Sequence, residues 1–352
     1  NGKLWQSKEF SAFQTSIMTK SYFPKESSTF TRNIELLRGH RVAVLGHRRP
    51  DGDCIGSQVA LTRVLNATGI EALAVNIDPV PRTLKAFVGD TPFFLAADLP
   101  AGEFLAVSVD CADHARVGGS VRDRFPNVRL NIDHHVSNTL YAEENIILPE
   151  ACATGEILAG LFFDNDLAVD SVAAEALYLG IATDTGQFCY SGTTASVFDI
   201  CKRLCELGAS PSRTAHELYE CEKPGRIQLL QRFLASFRME HGNRVCIGSI
   251  TDDFYEETGT TPEDAENFVD YSRSLDGVEI GSLLEERNGQ LKGSLRAKEH
   301  RYRVDLLAKQ FSGGGHACAA GFNVERKLED FYPEFVTAIG EHLRQVDTGG
   351  LS

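Results

Sequence analysis

Short, continuously apolar segments alternate with amphipathic helices through the N-terminal half of this chain. Four segments have the length of strands: RVAVLG at 41–46, ALAVNI at 72–77, FLAVSVD at 104–110 and VRLNID at 128–133. Strands that are apolar at every position are typical of a parallel sheet whose two faces are covered by helices. The sequence therefore predicts an α/β fold with a doubly wound, mostly parallel sheet.

The pattern changes near the middle of the 352 residues, which suffice for about two domains. A polar, helical stretch at 210–243 contains a Pro-Gly pair and is interpreted as a connection. Two strands then flank an Asn288–Gly289 turn, a strong hairpin signal. We expect an N-terminal extension at 1–30, an α/β domain at 31–209, a helical linker at 210–243, a smaller α/β domain at 244–345 and a tail at 346–352.

Acidic and histidine side chains lie where these predicted elements end. They are His47, Asp51 and Asp53 after the first strand, Asp110 at the end of the third, Asp133, His134 and His135 at the end of the fourth, and Asp184 after a helix predicted at 171–183. Because ligands of an open parallel sheet bind outside the carboxyl ends of its strands, we expect three clusters to converge. The fourth joins them if its helix returns to the same edge. Gly52 would allow a tight turn between the two acids of the first loop.

Oxygen and imidazole ligands together suit Mn²⁺, Mg²⁺ or a related divalent ion. Two such ions about 3.5–4 Å apart can share a bridging carboxylate and activate a water for in-line attack on phosphorus. A lone aspartate after a strand is usually a cap or turn former, and Asp113 and Asp123 are interpreted in this way. Four clusters at corresponding ends favour a metal site.

The formal net charge of −14 argues against a general nucleic-acid coat, which needs a basic surface. Any anionic substrate must therefore be held locally, and bound cations would reverse the sign of an acidic pocket. No apolar run approaches the roughly 18 residues of a membrane-spanning helix, and the first residues lack the apolar centre of a signal peptide. Nine cysteines without a Cys-x-x-Cys pair predict free thiols in a reducing cytoplasm.

Three motifs in this order resemble those of the DHH phosphoesterase superfamily: HxxxDxD at 47–53, DHH at 133–135 and GGGHACAAG at 313–321. The last motif is similar to the signature of the DHH-associated C-terminal domain. The resemblance covers about residues 30–345, and among members it is greatest to compact bacterial nanoRNases of the NrnA type. It implies a catalytic DHH domain linked by a helix to a substrate-binding domain, with the active-site cleft between them.

The resemblance also implies roles for individual residues. The expected metal ligands are His47 and Asp51 for one ion, Asp53, His134 and Asp184 for the other, and Asp110 as the bridge between them. His135 would contact the scissile phosphate, and Asp133 would orient its neighbours. The nucleophile would be a hydroxide held between two divalent ions, with Mn²⁺ favoured and Mg²⁺ or Co²⁺ as alternatives.

The loop SGGGH has a physical interpretation of its own, because three glycines allow the backbone to approach a phosphate closely. Nearby arginine and histidine side chains add donors suited to phosphate. The residues expected to bind substrate are Arg116, Arg296, Gly313, Gly314, Gly315 and His316. Cys189 departs from the family, which commonly has arginine at this position in TGxFRY, so the substrate preference stays open.

The expected function is hydrolysis of very short oligonucleotides, of about two to five nucleotides and including pApA and pGpG, because a cleft between domains encloses only a small ligand. Removal of the 3′-phosphate of pAp would be a second activity. Alternative hypotheses are hydrolysis of cyclic dinucleotides, polyphosphate or pyrophosphate at the same metal pair, and a nucleotide sensor without catalysis. The expected partners are short RNA or DNA oligonucleotides or nucleotides and no membrane, and a homodimer is left open.

Overall fold

The computed structural model describes residues 21–350 apart from residue 288. The chain divides into two units, Asn1–Cys221 and Glu222–Ser352. Each unit has its own six-stranded sheet, and the mixed α/β fold class is as predicted. The division falls inside the stretch 210–243 that the sequence marks as a linker, so the residues of that stretch are shared between the two units.

Six parallel strands form the sheet of the first unit. They are β1 (Val42–Leu45), β2 (Ala72–Asn76), β3 (Phe93–Leu95), β4 (Leu105–Val109), β5 (Leu130–Asp133) and β6 (Glu144–Ile147). Their order across the sheet is β3-β2-β1-β4-β5-β6, so the direction of winding reverses between β1 and β4. Such a reversal opens a crevice at the carboxyl ends of the two strands. The edge strands β3 and β6 are missing from the predicted set, because short, half-exposed strands carry little apolar signal.

Helices cover both faces of this sheet. They are α1 (Pro24–Leu37), α2 (Gly52–Ala67), α3 (Gly119–Arg124), α4 (Thr154–Asp164), α5 (Ser171–Asp184), α6 (Ala195–Glu206) and α7 (Pro211–Ala215). The helix α1 corrects the predicted extension at 1–30, because Phe30 lies fully buried in the core and the backbone N–H of Phe23 donates to Asp164. Residues 1–20 of that extension lie outside the described residues.

The sheet of the second unit is mostly antiparallel. Its strands are β7 (Arg238–Glu240), β8 (Val245–Ile250), β9 (Ile280–Arg287), β10 (Gln290–Ala297), β11 (Gly314–His316) and β12 (Ala319–Val324), in the order β11-β12-β10-β9-β8-β7. Its helices are α8 (Pro224–Ala235), α9 (Asp252–Thr258), α10 (Val269–Ser274), α11 (Val304–Lys309) and α12 (Leu328–Asp347). Strands β9 and β10 form the predicted hairpin, with Arg287 opposite Gln290. Asn288 of its turn lies outside the described residues.

All nine cysteines are present as free thiols. Among the described residues, none of the helices combines the length and the apolar character that crossing a membrane requires.

Candidate metal centre

The predicted ligand residues meet at the carboxyl edge of the first sheet. Three groups of possible ligands have their donor atoms within 4.8 Å of one another: His47 with Cys54 and Asp110, Asp110 with His134 and His135, and Asp53 with His134 and Asp184. Asp51 lies at the rim, where its Oδ2 is 3.7 Å from Nε2 of His47. Asp184 joins because α5 returns to the same edge and ends at this residue. The structure thus brings together all six residues expected to bind metal.

Backbone carbonyls orient the rings of His47 and His134. Nδ1 of His47 lies 2.9 Å from the carbonyl oxygen of Arg48, and Nδ1 of His134 lies 3.2 Å from that of Ala151. A carbonyl only accepts, so each Nδ1 carries the hydrogen and each Nε2 offers its lone pair to the acidic centre. Nε2 of His47 is buried and has no hydrogen-bond partner among the described residues. A lone pair left in this way suits coordination of a cation.

Asp110 occupies the middle of the cluster. Its Oδ2 lies 3.4 Å from Nε2 of His47, and its Oδ1 lies 3.7 Å from Nε2 of His134. The residue follows β4 in the left-handed region, with φ of 53°, which aspartate tolerates better than most residues. Because its two oxygens face different histidines, the carboxylate has the geometry of a bridging ligand.

Asp53 is joined to the start of α4. Its Oδ2 accepts the N–H of Thr154 at 2.6 Å, and its Oδ1 accepts the N–H of Gly155 at 2.8 Å. The residue before this helix, Ala153, has no side chain that can cap it. Asp53 therefore caps α4 from a distant part of the chain, and the helix dipole favours its negative charge. Oδ1 also accepts from the hydroxyl of Ser57 at 3.3 Å, whereas Oδ2 accepts only the N–H of Thr154 among the described residues and so retains a lone pair for a cation.

Glycines let α2 and α5 approach closely enough to place Asp53. A Cβ atom on Gly52 would lie 2.4 Å from Oγ1 of Thr183, and one on Gly180 would lie 2.6 Å from Oδ1 of Asp53. These are distances at which the neighbouring atoms must shift. Gly52 is the first residue of α2, so its predicted role in a tight turn is wrong. Its absence of a side chain serves the contact between two helices.

The negative charges of the buried carboxylates in this cluster repel one another. Burial raises the pKa of Asp53 well above its usual range, and the charges of Asp110 and Asp184 raise it further. Burial lowers the pKa of His134, but its hydrogen bond to Asp184 and the charges of Asp53 and Asp110 outweigh this effect and raise the pKa to about 10. Divalent cations would relieve the repulsion between the carboxylates, and carboxylate and imidazole donors together fit Mn²⁺ or a related ion.

His135 lies beside this cluster and is held by Asp133. Its Nδ1 donates to Oδ1 of Asp133 at 2.7 Å, and Nδ2 of Asn138 donates to Oδ2 of the same carboxylate at 2.6 Å. Burial alone would raise the pKa of Asp133, but the hydrogen bonds from His135 and Asn138 lower it. Asp133 therefore stays ionised and fixes the His135 ring with Nε2 available to a ligand.

Two residues of the site, Thr154 and Asn138, were missed by reasoning from the sequence. The hydroxyl of Thr154 donates to Oδ1 of Asp110 at 3.2 Å, while its N–H binds Asp53. Thr154 thus contacts two expected ligands that come from different strands. A helix starting after Ala153 without a capping side chain is the signal that could have indicated it.

The residues predicted to bind substrate are divided between the two units. Arg116 lies in the first unit in a short 3₁₀-helix (His114–Val117), and its carbonyl accepts the N–H of Arg48 at 2.7 Å. Its guanidinium forms no ion pair among the described residues, which leaves it available to an anion. Cys189, at the position where the family commonly has arginine, is exposed.

The other predicted substrate residues belong to the second unit. Nε of Arg296, on β10, lies 3.8 Å from Oδ1 of Asp270. His316, on the edge strand β11, is exposed. A Cβ atom on Gly313 would lie 2.2 Å from the carbonyl oxygen of Gly321, and one on Gly315 would lie 2.5 Å from that of Ala319. Only Gly314 of the three glycines faces open space. The absence of a side chain at Gly313 and Gly315 therefore also serves the packing against β12, and binding of substrate by the three glycines stays a prediction.

Thr154 offers a test of how the acidic cluster is positioned. Replacing it by valine keeps its shape and its N–H but removes the hydroxyl that binds Asp110, and we expect affinity for Mn²⁺ to fall about tenfold or more. Thr154→Ser, which retains the hydroxyl, serves as the matched control and should bind nearly as the native protein does. Calorimetric titration with Mn²⁺ measures both. Equal affinities in the two variants would mean that the hydroxyl does not position Asp110.

Comparisons with known proteins identify relatives of both units. Residues 41–181 match the DHH family, N-terminal domain, and residues 242–345 match the DHHA1 domain. The chain is 28% identical over 304 residues to the bifunctional oligoribonuclease and PAP phosphatase NrnA of Thermus thermophilus, which covers 86% of this chain and 90% of that protein.

Two crystal structures share the fold. An exopolyphosphatase-related protein from Bacteroides fragilis has a TM-score of 0.81 at 23% identity, covering 92% of this chain and 97% of that chain. The exonuclease RecJ bound to manganese has a TM-score of 0.50 at 16% identity, covering 91% of this chain and 95% of that chain.

Proposed function

Because the chain belongs to the DHH family and carries a DHHA1 domain, we propose that it hydrolyses very short oligonucleotides to mononucleotides with the help of two divalent ions. The reaction class, hydrolysis of phosphoester bonds, follows from membership of this family and from the related NrnA proteins. The substrate and the number of ions are the parts that we propose.

The placement of Asp110 is the observation that carries this proposal. One of its oxygens faces His47, and the other faces His134, which in turn lies 3.2 Å from Oδ2 of Asp184. The cluster therefore has the donors for two neighbouring cations with one carboxylate between them. We propose His47, Asp51 and Asp110 for the first ion and Asp53, Asp110, His134 and Asp184 for the second.

The protein side chains have separate tasks in the proposed reaction. When bound, the two ions would activate a water and neutralise charge on the phosphate. Asp110 would be a ligand of both ions, and the α4 terminus and Thr154 hold Asp53 and Asp110 in turn. His135 offers Nε2 to a phosphate oxygen, while Asp133 holds the ring through Nδ1.

Manganese is the ion that we propose for the native enzyme. Imidazole together with carboxylate suits Mn²⁺ better than Mg²⁺, which prefers oxygen ligands alone. RecJ, which shares this fold, has been crystallised with manganese. Mg²⁺ and Co²⁺ are the alternatives that a metal panel would separate.

A short substrate is favoured by the charge of the protein. With a net charge of −14, the chain lacks an overall basic surface along which a long polyanion would bind. The Thermus thermophilus relative is named for oligoribonuclease and PAP phosphatase activity. We therefore propose linear dinucleotides such as pApA and pGpG as the preferred substrates, with pAp as a second substrate.

A substrate panel tests the proposed function. The purified chain with Mn²⁺ would be incubated with pApA, pGpG, pAp, cyclic di-AMP and polyphosphate, each with and without a chelator. We expect the linear dinucleotides to be cleaved fastest and the chelator to abolish the activity. Faster cleavage of cyclic di-AMP or polyphosphate would show that one of those is the preferred substrate instead. Binding of dinucleotides without cleavage would favour a nucleotide sensor without catalysis.

We also propose that the second unit binds nucleotide through His316, with Arg296 and Gly314 of the same unit as further contacts. Arg116 is proposed separately as an anion-binding residue of the first unit. His316 is exposed on an edge strand, and the neighbouring Gly314 leaves open space beside it. An exposed imidazole next to free backbone groups suits recognition of a phosphate.

His316→Ala is therefore expected to raise the KM for a dinucleotide about tenfold, the effect of losing one hydrogen bond to a charged group. The Mn²⁺ content should stay unchanged, because His316 is not among the proposed ligands. His300→Ala removes another exposed histidine of the same unit and serves as the control. Steady-state kinetics and elemental analysis measure the two quantities, and a loss of metal from the His316 variant would contradict this assignment.

A further inference from the structure

A cysteine lies among the donors expected to hold the first ion. Cys54 is the third residue of α2, and its Sγ belongs to the group whose donor atoms lie within 4.8 Å of one another, together with His47 and Asp110. The side chain is fully buried. Family membership and the expected ligand set account for the other two members of this group but not for the sulfur.

The neighbouring imidazole gives independent support for a cation at this place. Only 3% of the His47 side chain is exposed. Its Nε2 is buried and lacks a hydrogen-bond partner among the described residues. It faces the carboxylate of Asp110 at 3.4 Å. Two acceptor atoms facing each other in a buried space need a proton or a cation between them.

The surroundings hold the thiol in place without engaging it strongly. Sγ donates weakly to Oε1 of Gln58, 3.8 Å away, and the amide nitrogen of Gln58 donates to the carbonyl oxygen of Val44 at 2.8 Å. Gly46 at the end of β1 leaves room for the sulfur, since a Cβ atom there would lie 2.5 Å from Sγ. The thiol is therefore packed beside the His47 ring and not free to turn away into solvent.

We propose that Cys54 supplies a sulfur ligand to the divalent ion held by His47 and Asp110, and that this ligand raises the affinity of the first metal position for Zn²⁺, Co²⁺ or Cd²⁺ relative to that of the second. The inference rests on the proposed metal site and deepens it, because it distinguishes one of its two positions from the other. The donor set becomes one sulfur, one imidazole nitrogen and carboxylate oxygens, with Asp51 completing it from the rim. Sulfur with imidazole is a combination typical of zinc, whereas Mn²⁺ and Mg²⁺ prefer oxygen.

Formation of this bond is balanced by the loss of one proton. The thiolate is the species that coordinates, so the thiol proton passes to the solvent as the metal–sulfur bond forms. No oxidant or reductant takes part. The second position, with Asp53, His134 and Asp184, has no sulfur donor in its group and should keep the preference for Mn²⁺.

Cobalt absorption tests the proposal without any measurement of activity. The full-length protein is freed of metal and titrated with Co²⁺, and the sulfur-to-cobalt charge-transfer band in the near ultraviolet is recorded. We expect one such band in the native protein and none in Cys54→Ala or Cys54→Ser. Cys201→Ala removes a buried thiol of the same unit away from the site and should retain the band.

The metal preference gives a second readout. Competition between Cd²⁺ and Mn²⁺, followed by calorimetry, should show that Cys54→Ala loses at least about tenfold in affinity for Cd²⁺ while its affinity for Mn²⁺ changes less than about threefold. Thermal unfolding of the metal-free variants checks that they are folded. Equal losses for both ions in a folded variant would overturn the proposed preference.

The possible outcomes separate this inference from the proposed function. Co²⁺ that binds without a sulfur band, or with a band that persists in Cys54→Ala, would overturn the role of Cys54 and leave the metal centre intact. A native protein that binds no Co²⁺ at all would overturn both proposals.

Discussion

Asp110→Asn is expected to lower the turnover of a dinucleotide by at least about a thousandfold, because a bridging carboxylate serves both ions at once. Asparagine preserves the size of the side chain but loses the charge and one oxygen donor. The side chain could then no longer bind both the cation beside His47 and the cation beside His134. Initial rates at saturating Mn²⁺ and the metal content of the purified variant are the quantities to measure.

Asp113→Asn provides the control for this experiment. Asp113 lies three residues further along the same strand-end segment, and its carboxylate accepts the N–H of Ala115 at 2.7 Å as an ordinary cap. We expect its turnover to stay near the native value. If Asp110→Asn were to retain native turnover at the same metal content, the assignment of Asp110 as the bridge would be refuted.

His135→Gln is expected to lower kcat about 10²–10³-fold, the usual effect of removing one donor to a developing charge. Glutamine keeps a polar group near Asp133 but lacks the second ring nitrogen, Nε2, that we propose at the phosphate. Because His135 is not one of the proposed ligands, metal affinity should change little. The reduction should appear in kcat more than in KM, which a full kinetic profile resolves.

His114→Gln is the matched substitution for this second experiment. The ring of His114 stacks on Tyr141, with 5.3 Å between the ring centroids, and it has no place in the proposed reaction. We expect the His114 variant to turn over normally. A His135 variant that lost its Mn²⁺ would instead show that this histidine is a metal ligand. Nδ1 of His135 lies 3.6 Å from Oδ1 of Asp110, close enough for both to bind one ion.

The parts of the site that the sequence predicts are those tied to strand ends. Asp110 and Asp133 directly follow or end apolar strands, and in a parallel sheet such ends must lie at one edge. Thr154 was not predicted, because its backbone N–H donates to Asp53, which lies 101 residues earlier in the chain. Contacts of this kind depend on how α2 and α4 pack, and the local sequence signals only that α4 begins without a capping side chain.

The boundaries of the fold show a similar division. The central strands and the hairpin of β9 and β10 were predicted because their apolar and turn signals are local. The helix α1 was not predicted, because its polar surface conceals Phe30, whose burial depends on a helix more than a hundred residues away. The sequence alone cannot assign one role to Gly313, Gly314 and Gly315, because close strand pairing and close approach to a ligand both select glycine.

The tight approach of α2 to α5 has a consequence for anyone who screens related genes for loss of activity. A single methyl group at position 52 or 180 would push against Thr183 or Asp53, so an enzyme can be silenced while every acid and histidine of its motifs remains in place. Motif searches would score such a gene as intact. Diagnosis of inactive copies should therefore inspect these two small residues as well as the charged ones.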